Sequence, residues 1–65
     1  PVVSIFKSFG FRYDGVEINA NGDVIIYIRS VIENSPASVA IPTFGQCSEQ
    51  FTLLVGGAEL VAIID

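Results

Sequence analysis

The chain has no histidine, no methionine and no tryptophan, and only one cysteine and three cationic side chains. Each scarcity removes a class of chemistry. Without histidine there is no Ser-His-Asp triad, no Cys-His nucleophile pair and no imidazole ligand for a metal. The lone Cys47 can close no internal disulfide and form no Cys-x-x-Cys site. A reactive thiolate needs a base or a positive field, and the nearest basic residue in sequence is Arg29, so Cys47 reads as a small core or loop thiol. Three Lys+Arg against seven Asp+Glu give a net charge of −4, which opposes loose electrostatic binding to nucleic acid or anionic lipid.

Long apolar runs are also missing. The longest are five residues, Val24–Ile28 and Leu60–Ile64. The richest stretch, Phe51–Ile64, is interrupted by Gly56, Gly57 and Glu59 and is too short to cross a bilayer as a helix. The opening Pro-Val-Val-Ser-Ile-Phe-Lys-Ser lacks a basic segment followed by a cleavable apolar core. The expectation is a complete chain with Pro1 exposed by methionine removal, located in a cytoplasm or within an assembled particle, with no membrane partner.

What is present is β-branched. Eight valines and nine isoleucines stand against three leucines. Two heavy atoms on Cβ restrict χ1 and suit a pleated surface, so this ratio favours strands. From Val3 to Tyr13 the odd positions are mostly apolar, a period of two with a bulge or bend expected at Gly10. Asp14-Gly15 reads as a turn, Val16–Ala20 as a short strand, and Asn19–Asp23 as a hairpin loop. Val24–Ile32 is the strongest strand, broken by Glu33-Asn34-Ser35-Pro36. Ala37–Ile41, between Pro36 and Pro42, suits a sheet edge. Thr43–Gln50 reads as polar loop, and Phe51–Val55 and Ala58–Ile64 as a hairpin about Gly56-Gly57. A short helical turn has room at Ser48–Gln50, or at Ile5–Phe9 if the alternation misleads. The expected fold is all-β: one domain over residues 1–65, a small antiparallel barrel or sandwich of five or six strands.

A chain of 65 residues buries only about 60% of its unfolded surface and is marginal alone. Yet 51% of its residues are apolar, and both Val24–Ile32 and Ala58–Ile64 are apolar on both faces. Disulfides cannot supply the missing stability, and metal ligands are poor, so association is the expected remedy. We therefore expect a non-catalytic structural or assembly module. It would be a homo-oligomer or a subunit docked on a larger protein assembly, such as a virion or other particle. Val24, Ile26, Ile28, Leu60, Ala62 and Ile64 are the expected interface residues. No cofactor is expected.

Several partial motifs have simpler explanations. A free Pro1 amine serves as a general base in the tautomerase family, but that pattern continues with a long helix that Asp14-Gly15 and Asn21-Gly22 would break. Glu17, Asn19, Asn21, Gly22 and Asp23 match the first half of an EF-hand loop. Its twelfth position should be a bidentate glutamate and is Ile28, so a hairpin loop explains the same letters. The seven carboxylates fall almost one per turn or strand end, as solvation of a small β surface requires.

Lys7-Ser8-Phe9-Gly10-Phe11-Arg12-Tyr13 interleaves aromatics with basic residues, as a platform for stacking unpaired bases does. Its Lys-x-Phe-Gly-Phe core resembles the first ribonucleoprotein motif of cold-shock proteins and RRM domains. Asp23–Ile28 falls where cold-shock proteins carry their second motif. The likeness covers about residues 3–28. It departs from the family at Ser8, where the family has a second glycine, and at Ile25 and Ile28, where it has aromatics. Tyr27 stands for its histidine, and its tryptophan-bearing first strand is absent. The resemblance implies, as the alternative, a barrel binding single-stranded nucleic acid through Lys7, Phe9, Phe11, Arg12 and Tyr27. The competing explanation makes Phe9, Phe11 and Tyr13 one inward face of a β core.

Overall fold

The computed structural model describes residues 2–42 and 49–65, with the side chain of Glu49 excepted. Cys47 and most of the Thr43–Gln50 loop therefore lie outside the described residues. Among the described residues there are six strands: β1 (Val3–Ser8), β2 (Phe11–Ile18), β3 (Val24–Ser30), β4 (Pro36–Ile41), β5 (Glu49–Val55) and β6 (Ala58–Ile64). They form two antiparallel three-stranded sheets, ordered β1-β6-β5 and β2-β3-β4, that are not closed into a barrel. No helix occurs among the described residues, and none is long and apolar enough to cross a membrane.

The two strands that read as apolar on both faces, β3 and β6, are the central strands of the two sheets. Their even-numbered side chains meet between the sheets. Val24, Ile26 and Ile28 pack with Ile41, Leu60, Ala62 and Ile64 into one core. Val3, Phe6, Phe11, Val16, Val39, Phe51 and Leu53 close over it from the flanking strands.

This packing corrects the expected interface. Val24, Ile26, Ile28, Leu60, Ala62 and Ile64 are all between 0 and 6% exposed, so none presents surface to a partner unless the sheets part. The excess of apolar residues on these strands is real, but its outward half is the odd-numbered set, including Ile25, Tyr27, Val61 and Ile63.

A second correction concerns the N-terminal alternation. Val3–Tyr13 is two strands in different sheets, not one strand with a bend. The chain leaves β1 at Ser8 and enters β2 at Phe11, turning at Gly10, whose φ of 95° glycine adopts without a Cβ clash. Asp14-Gly15 makes no turn either. β2 runs through it, and a register shift between Tyr13 and Gly15 absorbs the extra residue as a bulge.

The hairpin loops agree with the sequence reading. The Asn19 carboxamide oxygen accepts from the Asn21 and Asp23 amides at 2.9 Å each, closing the β2–β3 loop. Between β5 and β6, Gly56 and Gly57 both have positive φ, 55° and 83°, the signature of a two-residue hairpin turn.

Candidate interaction surface

Three loops gather at one end of the molecule: Phe9-Gly10, residues 31–35 and Gly56-Gly57. The first two are tied together by hydrogen bonds. The Val31 amide donates to the Gly10 carbonyl (2.8 Å), and the Ser30 amide donates to the Ser35 carbonyl (2.8 Å). Within the β3–β4 loop, Ser30 Oγ accepts from the Glu33 amide (3.2 Å) and Arg29 Nη1 donates to the Asn34 carbonyl (2.9 Å). The loops enclose an open notch of about 390 Å³, lined chiefly by Phe9, Phe11, Ile32, Glu33 and Gly56. Phe11 forms its floor beneath the Gly56 turn. Phe9 and Ile32 flank it and are 91% and 90% exposed.

This lining has little reactive chemistry. Glu33 is the titratable side chain among the lining residues, and the Ser30 hydroxyl is engaged by the loop backbone. What the notch offers is apolar contact beside one carboxylate.

The outer face of the β2-β3-β4 sheet carries Arg12 and Arg29 directly opposite each other, with Tyr27 and Glu17 on neighbouring rungs. Tyr27 Oη donates to Glu17 Oε1 across the diagonal of the strand pair. This hydrogen bond, and then desolvation and the nearby negative charge, raise the Tyr27 phenol above its ordinary pKa. A raised folded-state value means the pair contributes to stability below the unfolded phenol value of about 10. The contribution fades as pH climbs through the raised folded value. In an ultraviolet tyrosinate titration, Glu17→Gln is accordingly expected to bring the Tyr27 midpoint down. An unchanged curve would show that the Glu17 contact is not what holds the proton.

The five residues of the nucleic-acid alternative do not share a surface. Lys7 lies on the outer face of the β1-β6-β5 sheet, while Arg12 and Tyr27 lie on the outer face of the other. Phe11 turns inward against the core and Phe9 sits in the connecting turn. Tyr13 reaches the rim of the interior, where its ring lies 5.7 Å from that of Phe6. The physical reason is the break at Gly10, which divides the motif between two sheets. The single inward face Phe9-Phe11-Tyr13 fails for the same reason: only Phe11 packs on the core, while Phe9 is 91% and Tyr13 42% exposed.

In the β2–β3 loop, Asn19 Oδ1 is occupied by two backbone amides. Among the described residues no cluster of three or more His, Cys, Asp or Glu side chains is placed to hold a metal ion.

The residues that sequence reading missed are Ile32 and Leu54, 90% and 79% exposed. A signal for each existed. Ile32 sits against the Glu33-Asn34 turn, beyond the last residue that can pair, and Leu54 alternates out of phase with Phe51, Leu53 and Val55. Compared with known protein families, curated proteins and solved structures, the chain matches none.

Proposed function

We propose that this protein is a non-catalytic structural or assembly module, a small all-β subunit that associates with copies of itself or docks on a larger protein assembly. A virion or another particle is the kind of setting such a subunit would occupy. The observation that carries this reading is the amount of apolar side chain left outside a well-formed core: Phe9, Ile32 and Leu54 are 91, 90 and 79% exposed. The fold does not withdraw this surface. It exposes 4290 Å², against about 4,000 Å² expected for a monomer of this mass. Large aromatic and aliphatic side chains held on hydrogen-bonded loops are suited to partner contact, because little conformational entropy remains to be lost on docking.

The test is sedimentation across a wide concentration range, paired with a fluorescence titration by short single-stranded DNA and RNA at low salt. Species heavier than the 6.9 kDa monomer and a flat titration are expected. A monomer at every concentration, with salt-sensitive quenching of tyrosine, would replace this reading with nucleic-acid binding.

A further inference from the structure

Among the described residues the two sheets leave four edges, β1, β5, β2 and β4. An unpaired edge invites another strand unless something blunts it, and bulges, charges and prolines are the usual means. Three of the four carry such devices. β1 has a bulge between Val3 and Ile5 and carries Lys7. β2 has its bulge at Asp14 and carries Arg12, Asp14 and Glu17. These two edges also approach each other through the Phe6 and Tyr13 rings. β4 starts at Pro36 and is followed by Pro42. β5 has neither bulge nor proline: its pairing with β6 runs through seven residues without a shift, and its one charge, Glu49, stands at the first residue, leaving Gln50–Val55 uncharged.

Backbone parity shows what the β5 edge offers. Val2 and Asp65 donate to each other's carbonyls (3.1 and 2.8 Å), so the odd residues of β6 direct their backbone groups to β1 and the even ones to β5. Glu49, Phe51, Leu53 and Val55, opposite Ile64, Ala62, Leu60 and Ala58, are therefore committed to β6. Gln50, Thr52 and Leu54 turn their N–H and C=O groups outward, and among the described residues no strand pairs with them. The same reasoning from the Ser30–Ser35 bond leaves β4 with outward groups at Pro36, Ser38 and Ala40, one of which has no N–H.

We propose that β5 is a pairing edge and that a second copy of this chain docks on it, antiparallel, about a two-fold axis at Thr52. The proposal rests on the assembly reading above and names its partner. The strand is complementary to itself in this register. Thr52 meets Thr52, and Gln50 meets Leu54 in both directions. Every outward backbone group of Gln50, Thr52 and Leu54 then finds a partner in the narrow, hydrogen-bonded type of pair. Centring on Leu53 would set Gln50 against Gly56 in the turn and leave its groups unpaired. No like charges are opposed within Gln50–Val55, although the chain as a whole carries −4. The pairing would join two three-stranded sheets into one of six. It would also cover Leu54 and the half-buried Phe51 and Leu53 at the margin of the core.

The test combines sedimentation equilibrium with residue-resolved amide exchange on the full chain and on three variants. In the wild type a dimer is expected. Exchange at Gln50, Thr52 and Leu54 should slow with concentration, by about fivefold at a total chain concentration of ten times the dissociation constant. Thr52→Pro removes an outward donor without touching the β6 ladder, and Leu54→Lys places a charge on a side chain that is 79% exposed. Each should yield a monomer with an unchanged far-ultraviolet spectrum, whereas Ile32→Ser should stay dimeric. If Thr52→Pro and Leu54→Lys remain associated while Ile32→Ser dissociates, the edge proposal fails and the assembly reading survives with the notch as its contact. A wild type that stays monomeric, with all three amides exchanging freely, overturns the edge proposal and removes self-association from the assembly reading as well.

Discussion

Ile26→Ala is expected to cost about 2–5 kcal/mol, the largest loss of any single truncation proposed for this chain. Ile26 is fully buried at the middle of β3, with Val16 opposite it on β2 and Val39 on β4. Truncation removes three carbons from a core built by seven buried side chains among the described residues. Neighbours held in two hydrogen-bonded sheets can collapse only partly into the space, so a cavity term adds to the lost transfer energy. A domain of this length has roughly 3–10 kcal/mol in total, and the substitution takes a large fraction of it. Urea unfolding followed by circular dichroism measures the loss. Ile26→Val should cost only about 0.5–1.5 kcal/mol. Ile32→Ser, at 90% exposure, should fall within about 0.5 kcal/mol of the parent. Ile25→Ala supplies the control for register: should it prove more damaging than Ile26→Ala, the strand faces the wrong way in this fold.

The next largest effect is expected at the β5–β6 turn. Gly57→Val forces a β-branched side chain into a backbone with φ of 83°. A Cβ there meets nothing within 4 Å, so the penalty is one of backbone conformation, about 1–3 kcal/mol. Its consequence extends beyond the turn. The two-glycine loop sets the register that brings Leu60 opposite Leu53 and Ala62 opposite Phe51, and a slip by one residue would turn the inner face of β6 outward. At the preceding position the sign should reverse. Gly56 has φ of 55°, a value asparagine tolerates, and an added Cβ would meet Phe11 Cζ at 3.8 Å, an ordinary contact. Gly56→Asn is expected to be neutral or stabilising by up to about 1 kcal/mol, because it narrows the unfolded ensemble. Thermal unfolding of the two variants side by side decides the matter. Equal destabilisation would mean that the turn is not of the type with positive φ at both central residues.

The strands themselves were readable because their signals are local. Asn19–Asp23 and Gly56-Gly57 supply turn chemistry that needs no tertiary context, and the hairpins follow. The doubly apolar Val24–Ile28 and Leu60–Ile64 runs lie in the central strands, where flanking strands on both sides suit such a pattern, although the sequence equally allows an edge covered by another subunit. Other signals were local and misleading. Phe9-Gly10-Phe11 preserves the period of two while the chain changes sheet, and alternation has no way to register that. Asp14-Gly15 has the composition of a turn, but a bulge accommodates it because β3 continues past it on the other side.

The site was harder to read than the fold for the same reason. On a strand apolar at both parities, the sequence holds two equivalent sets of side chains, and nothing local separates the even set, expected at an interface, from the odd one. The structure makes it the core.

The amino-acid sequence by itself determined the all-β class, the approximate limits of β3 to β6, the two glycine- and asparagine-bearing hairpins, and the lack of histidine chemistry. Those properties depend on residue type and on neighbours a few positions away. Tertiary structure alone decided which parity of β3 and β6 is buried, which sheet receives each half of the Val3–Tyr13 segment, and which edge is left unprotected. Each of these depends on groups distant in the chain. A side chain is inside only relative to the opposite sheet, and a backbone group is free only when no strand has come to meet it.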